Sequence, residues 1–369
     1  MRTAAVAVLA LAVLTACSAG GCSWFSGKKP RKEERATPAA PKPAACPFCG
    51  TVPEDPLLIQ RRPIGIKIEN DPAARPQSGL DRACIVYEEE CEGGVTRFLA
   101  IYLDKNVESL GPVRSARPAD VDIAFPFNPL FCHCGGAPPT ISMVKASGIP
   151  DLDEMSWPGA YWRSGSRRAP HNLYSSTTRL RQAGEATYPY QGTPAAPFVY
   201  LSDDEQARME SDRSRQIRKD LAKQARPDPD YVPAFTVVTN VHIPYDPICV
   251  VDYRYDSSTG RFLRFVQGRP HTELTTGQQL NADTVIVQYV TTTPSGIVDV
   301  NKADTPNLGI LGAGRAQVFV RGRVIEAEWS KPARDVHTSF TDSAGRAVRI
   351  KPGITWVELV PTGMSVTFN

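Results

Sequence analysis

The chain has 369 residues, a formal net charge of +3, 41% hydrophobic residues and 33 prolines. That length suits two domains, each able to bury a core, and so many prolines belong to a loop-rich globular protein rather than a bundle of membrane helices. Arg2 contributes +1 and the stretch from Lys28 to Lys42 a net +4, which leaves −2 for residues 46–369 and excludes the basic footprint of a nucleic-acid binder.

Met1-Arg2-Thr3 gives a positive start, and Ala4–Leu14 is an apolar run too short to span a bilayer as a mature helix. It ends in Leu14-Thr15-Ala16-Cys17, which resembles a bacterial lipobox. Residues 1–16 are therefore predicted to be a signal peptide, and Cys17 the acylated residue; Cys22 follows Ala19-Gly20-Gly21 and lacks the leucine. Two acyl chains anchor more firmly than one. Residues 17–50, poor in core formers and rich in proline, alanine and charge, read as a disordered tether. This places the chain on the extracytoplasmic face of the bacterial cell membrane, held by lipid.

At the end of that tether, Cys46-Pro47-Phe48-Cys49-Gly50 has the C-x-x-C-G spacing of a zinc knuckle or a redox pair. A closed zinc site needs two more ligands, and the nearest clustered candidates are Cys132, His133 and Cys134. On a strand, however, the two cysteines of C-x-C point away from the face of the histidine between them. A local disulfide or free buried thiols is the expectation, with no metal and no other cofactor assigned.

Residues 51–200 read as a first domain. Ile64–Glu69 alternates as a strand and stops at Asn70-Asp71-Pro72, with a second turn cluster at Arg75-Pro76-Gln77-Ser78-Gly79. Cys84–Glu92 and Val95–Leu103 are predicted strands around a two-residue Gly93-Gly94 turn, a register that pairs Glu92 with Val95, Glu90 with Arg97 and Glu88 with Leu99. Glu88, Glu90, Glu92 and Arg97 then share one face with aliphatics. A Glu90–Arg97 pair that only fixes the sheet and a charged cleft floor are both open readings. Gly111–Pro118 (GPVRSARP) feeds a helix with Pro118 in its first turn, which sets Arg114 and Arg117 beside a helix N-terminus. Two arginine forks there suit a carboxylate or phosphate, although pairing with Asp120, Asp122 or the glutamates would satisfy them as well. Leu130–Cys134 is a buried strand that ends at Gly135-Gly136 and carries His133, and His171-Asn172 follows Arg167–Pro170.

The candidate ligand-binding set is therefore Glu69, Asn70, Arg75, Glu90, Arg97, Arg114, Arg117 and Asn172, with Glu92, His133 and His171 as candidate acid–base groups. No G-x-S-x-G, H-E-x-x-H or P-loop accompanies them.

Residues 201–234 are a polar helical connector, opened by a Ser202/Glu205 capping box and closed by Pro227, Pro229 and Pro233. Residues 235–369 carry recurrent short strands with turns at Asp256–Gly260 and Arg321–Arg323, a smaller, mostly-β domain. Tyr253, Tyr255, Phe262, Phe265 and Trp329 are its expected core. Thr291–Gly314 reads as a long irregular loop placed to close over the cleft.

The run from Arg62 to Leu103, then GPVRSARPADVD, HCGG and APHNLYSST, and later YRYDSSTGRFLRFVQGRPHTELTTGQQL, TVIVQYV and GITWVELVP, resembles the YerB-like family of bacterial lipoproteins. The resemblance implies an extracytoplasmic, lipid-anchored, two-domain α/β (α+β) protein: a mixed-sheet N-terminal domain with helices, then the mostly-β domain. It brings no catalytic residues with it. The expected role is binding of an anionic or glycan ligand of the cell wall, or of an envelope protein partner, and the alternative is a hydrolase or transferase acting on cell-wall polymer or a phosphodiester.

Overall fold

A computed structural model describes residues 44–225, 235–299 and 302–369. The expected signal peptide, Cys17, the expected tether as far as residue 43 and the proline-rich end of the expected connector lie outside the described residues. Ile64, Ile66 and Ile68 alternate with Gly65, Lys67 and Glu69, and this two-residue period builds β1 (Ile64–Glu69). β2 (Ile85–Glu90) pairs antiparallel with β3 (Thr96–Tyr102), which also pairs antiparallel with β1. β4 (Leu130–His133) runs parallel to β1, and β5 (Asp151–Asp153) parallel to β4. Four α-helices accompany these strands: α1 (Pro118–Ala124), α2 (Pro138–Ser147), α3 (Thr177–Gly184) and α4 (Asp203–Ala225). The capping box at the head of α4 forms as expected, with the Ser202 amide donating to Glu205 at 2.7 Å and the Glu205 amide to Ser202 Oγ at 3.3 Å.

The C-terminal part extends this sheet. Strand Thr355–Pro361 lies parallel to β2, with Ile85 opposite Thr355 and Glu88 opposite Glu358. Beyond it come Thr284–Val290, Gly312–Val320, Arg323–Lys331 and Ser339–Asp342, so that ten strands from both halves form one sheet. A second, antiparallel sheet centred on Cys249–Asp256 packs Val241, Ile243, Val251, Tyr253 and Phe262 against Ile66, Ile68, Val86, Phe98 and Trp356. The opposite face of the large sheet, with Ile85, Tyr87, Leu99 and Ile101, is covered by Ala119, Val121 and Ile123 of α1, Val144 of α2 and Phe48. Cys46, Phe48 and Cys49, assigned to the tether by composition, are thus core residues with at most 1% of their surface exposed. The expected α+β class is the observed one.

Two expectations change. The β2–β3 register is one residue away from the predicted one: Glu89 faces Arg97, Glu90 faces Thr96 and Tyr87 faces Leu99. The cause is a three-residue turn, Glu92-Gly93-Gly94, closed by the Cys91 amide on the Val95 carbonyl at 2.8 Å. Gly93 and Gly94 both have positive φ, +71° and +74°, and a Cβ on Gly94 would stand 2.4 Å from the Asp246 carboxylate. A one-residue slip moves every side chain to the other face, so Arg97 sits with Glu89 and Leu99 while Glu88 and Glu90 point to the second sheet. The stretch Thr291–Gly314 is also no irregular loop, because Thr292–Val298 and Asp304–Leu308 pair as a hairpin.

Candidate functional site

β1, β2 and β4 all end at one edge of the large sheet, and the segment after Leu110 is threaded between two of those ends. The Arg114 amide donates to the Lys67 carbonyl at 3.0 Å, the Cys134 amide to the Arg114 carbonyl at 3.0 Å and the Ala116 amide to the Gly135 carbonyl at 3.0 Å. This fixes Arg114 and Arg117 over the strand ends. The β2–β3 turn brings Glu92 and Arg97 to the same place. Together with Thr140 at the head of α2 and Thr305 and Asp299 of the C-terminal hairpin, they line a hollow of about 510 Å³. Ligands of open α/β sheets bind characteristically at such an edge.

Arg117 donates from Nε and Nη2 to Glu92 Oε2, at 3.1 and 2.5 Å, and from Nη1 to the Ala116 carbonyl at 2.9 Å. The other Glu92 oxygen accepts the Thr305 hydroxyl. Arg114 Nε meets Glu69 Oε1 at 2.9 Å, and the second oxygen of Glu69 meets His171 Nδ1 at 3.0 Å. Burial pushes the Glu69 carboxyl up, and the Arg114 charge pulls against it. Arg97 differs from both. It is 7% exposed, its nearest carboxylate oxygen (Glu92) lies 3.7 Å away, and its Nε and Nη1 make no hydrogen bond among the described residues. A buried guanidinium with unused donors faces the hollow. Beneath it, Lys67 Nζ is clamped between Glu89 at 2.5 Å and Asp120 at 2.8 Å. Burial, with Asp120 nearby and Lys67 opposing, pushes the Glu89 carboxyl up to about 7. The head of α2 contributes little by its dipole alone, since Pro138 and Pro139 remove two of its free amides.

The remaining sequence candidates lie elsewhere. Asn70 is sealed and donates to Thr96 at 2.7 Å and Glu88 at 3.2 Å, and half-buried Arg75 is bonded to it at 3.0 Å. Glu90 is on the far face of β2 near Asp246, its carboxyl raised by burial. His133 is fully buried, bonded to Asp151 at 2.9 Å and the Gly135 carbonyl at 2.9 Å; burial disfavours its charge, but Asp151 and Asp153 outweigh that and raise it. Asn172 accepts from Arg163 at 3.1 Å and donates to the Ser164 carbonyl at 3.2 Å, which closes a local turn. The structure thus brings together Glu92, Arg97, Arg114 and Arg117, with Glu69 and His171 as braces, and places the others apart.

Two parts of one family description match in order: protein of unknown function (DUF3048), N-terminal domain, over residues 48–190, and its C-terminal domain over residues 241–357. The chain belongs to this YerB-like family. It is 27% identical over 337 residues, 89% of this chain and 90% of the other, to a Bacillus subtilis (strain 168) protein described as "Putative lipoprotein YerB". The crystal structure of YerB protein from Bacillus subtilis has the same fold, with a TM-score of 0.71 at 24% identity over 88% of this chain and 99% of that one.

In this YerB-like chain, sequence reasoning missed Lys67, Thr140 and Thr305 at or beneath the cleft, and named Asp120 only as a possible partner of the arginines rather than of Lys67. Lys67 carried a signal, a lone cation in a strand whose other residues are apolar or Gly except for its terminal Glu. Thr305 carried none, because its hairpin is about 200 residues from the strands it meets in sequence, too far for any local pattern to report. Cys132 and Cys134 also fail as partners for Cys46 and Cys49: Cys132 is buried in the opposite core and bonded to the Leu130 carbonyl at 3.3 Å, and Cys134 lies 3.6 Å from Glu154.

Proposed function

We propose that this is a lipid-anchored protein of the extracytoplasmic membrane face whose Arg97/Arg114/Arg117 hollow binds an anionic group, a phosphate or carboxylate, of a cell-wall glycan. One observation carries the binding reading: the Arg97 guanidinium is buried at the rim of a 510 Å³ hollow with two donors unused. Burying such donors without a partner is unfavourable by about 1–3 kcal/mol, and an oxyanion held against the guanidinium relieves part of it. Arg114 and Arg117 are already held by Glu69 and Glu92, so they arrive oriented, with little entropy left to lose. The binding reading is favoured over the hydrolase alternative because Glu92 is engaged on both oxygens, His133 is sealed away from the hollow and His171 is held through Nδ1 on Glu69.

Titration of the full chain with inorganic phosphate, poly(glycerol phosphate) and peptidoglycan fragments tests this. Arg97→Gln is expected to weaken the best of these by at least about tenfold, the loss of one or two charge-assisted hydrogen bonds, with an unchanged melting temperature. Equal affinity in the variant, or binding only by an envelope protein and by none of the three probes, would overturn it. The anchor is supported by the Leu14–Cys17 box and by the relative described as a lipoprotein; no helix among the described residues is long and apolar enough to cross a membrane. Cys17→Ser is expected to move the chain from the membrane fraction to the soluble one; unchanged partitioning would refute the anchor.

A further inference from the structure

Far from the cleft, the turn Cys46–Gly50 brings three thiols and a carboxylate together. Cys46 and Cys49 occupy the turn Cys46–Gly50, in which the Gly50 amide donates to the Cys46 carbonyl at 2.8 Å and the Cys46 amide to the Thr51 carbonyl at 2.7 Å. Gly50 closes it at φ +68°, where a Cβ would strike the Tyr200 ring at 2.7 Å. Cys84, just before β2, and Asp104, just after β3, point at this turn. Cys49 Sγ lies 3.3 Å from Asp104 Oδ2, Cys84 Sγ lies 3.1 Å from Asp104 Oδ1, and one ligand atom from each of the four residues falls within 4.8 Å of the other three.

We infer that Cys46, Cys49, Cys84 and Asp104 form a closed structural site for Zn²⁺. A tetrahedral zinc with Zn–S bonds of about 2.3 Å has ligand atoms about 3.5–3.8 Å apart, a spacing that four atoms all within 4.8 Å of one another reach by small side-chain adjustments. The donor chemistry, three soft thiolates and one carboxylate, suits zinc over magnesium or calcium. Asp104 is 1% exposed, and its carboxylate is shared between the Cys49 and Cys84 thiols, with Lys105 Nζ 3.4 Å from Oδ1 as its nearest cation. A Cys46–Cys49 disulfide would use two of the four groups and leave Cys84 and Asp104 facing each other with nothing gained. Binding would release the thiol protons of Cys46, Cys49 and Cys84 to solvent and leave a complex of net charge −2. Lys105 partly offsets that charge, and the Thr51 hydroxyl, 3.0 Å from Cys49 Sγ, stands ready as an outer-shell donor.

With four protein ligands and no open position, such a metal is a clip and not a catalyst. It would fasten the Cys46–Gly50 turn to β2 and β3. The Cys49 carbonyl also accepts the Gly353 amide at 2.8 Å, so the C-terminal half is tied to the same turn. The full chain, detergent-extracted from cells grown with zinc and dialysed against EDTA, is expected to carry about one zinc per chain by elemental analysis. Replacement by cobalt should give the intense visible bands of a tetrahedral cobalt–thiolate site, a readout that needs no variant. Cys49→Ser and Cys84→Ser should each lower zinc content at least about tenfold, whereas Cys132→Ser should retain it. A metal-free chain with three alkylatable thiols here, a mass showing a Cys46–Cys49 disulfide, or zinc kept in Cys84→Ser would each overturn the assignment.

Discussion

Arg264 shows what the sealed charges do in this molecule. It has no exposed surface, yet every donor group has a partner: Nη2 meets Glu88 at 2.5 Å, Nη1 meets Glu358 at 3.1 Å and the Tyr253 hydroxyl at 2.5 Å, and Nε meets His271 Nδ1 at 3.1 Å. Because His271 accepts there, its proton is on Nε2, which donates to Gln77 at 2.7 Å; burial, then the Arg264 charge, pushes its pKa far down and keeps the ring neutral. One cation now faces two carboxylates. Burial first, then Glu88, pushes the Glu358 carboxyl up from 4.5 to about 8, with Arg264 pulling the other way. A group protonated more readily when folded contributes its stability in full below its unfolded pKa and loses it as pH rises to the folded one. The window for Glu358 is therefore pH 4.5 to about 8. Across it the native chain should lose stability, on the order of 4 kcal/mol, that Glu358→Gln does not lose. Urea midpoints of both proteins at several pH values check this, and parallel curves would disprove the assignment.

Local pattern carried the individual elements and failed where partners were distant. β1 begins and ends where alternation and turn residues put it, since it is defined by its own side chains. Tyr253, Phe262 and Trp329 are buried as expected, while Tyr255 and Phe265 are only half-buried. Arg264 was legible in principle, because it falls in phase with Phe262 and Val266 on the buried side of its strand. So was Glu358, between Trp356 and Val360. A charge in the apolar phase of a strand announces a buried partner without saying which one. The β2–β3 register was not legible: two glycines fit a two-residue turn, and it is the Glu92 carboxylate, held by Arg117 and Thr305, that draws a third residue into the loop. The cleft itself was half visible. GPVRSARP announced two arginines for an anion, but the one with two unused donors is Arg97, whose orientation depends on that register.

At the scale of the molecule, the decisive contact joins residues about 270 positions apart, and no sequence window contains it. Thr355–Leu359 runs parallel to Ile85–Glu89, and Trp356 is fully buried against Phe98 at 5.5 Å and beneath the Arg264 guanidinium at 4.4 Å. β2 is thus an interior strand only because the C-terminal part supplies its neighbour. Without that part, its free edge and the apolar face under the second sheet would meet water, along with Glu88 stripped of Arg264. Breaking a buried ion pair in this way is unfavourable by about 3–5 kcal/mol, before the loss of apolar burial is counted. That is comparable with the whole stability of an ordinary domain, about 5–15 kcal/mol, so neither half should persist once the other opens. Calorimetry of the full chain should accordingly show a single transition with equal calorimetric and van't Hoff enthalpies, and a fragment ending at Ala225 should lack sharp tertiary structure by near-ultraviolet circular dichroism. Two separated transitions, or a cooperatively melting fragment, would mean that the ten-stranded sheet is two sheets merely abutting at β2.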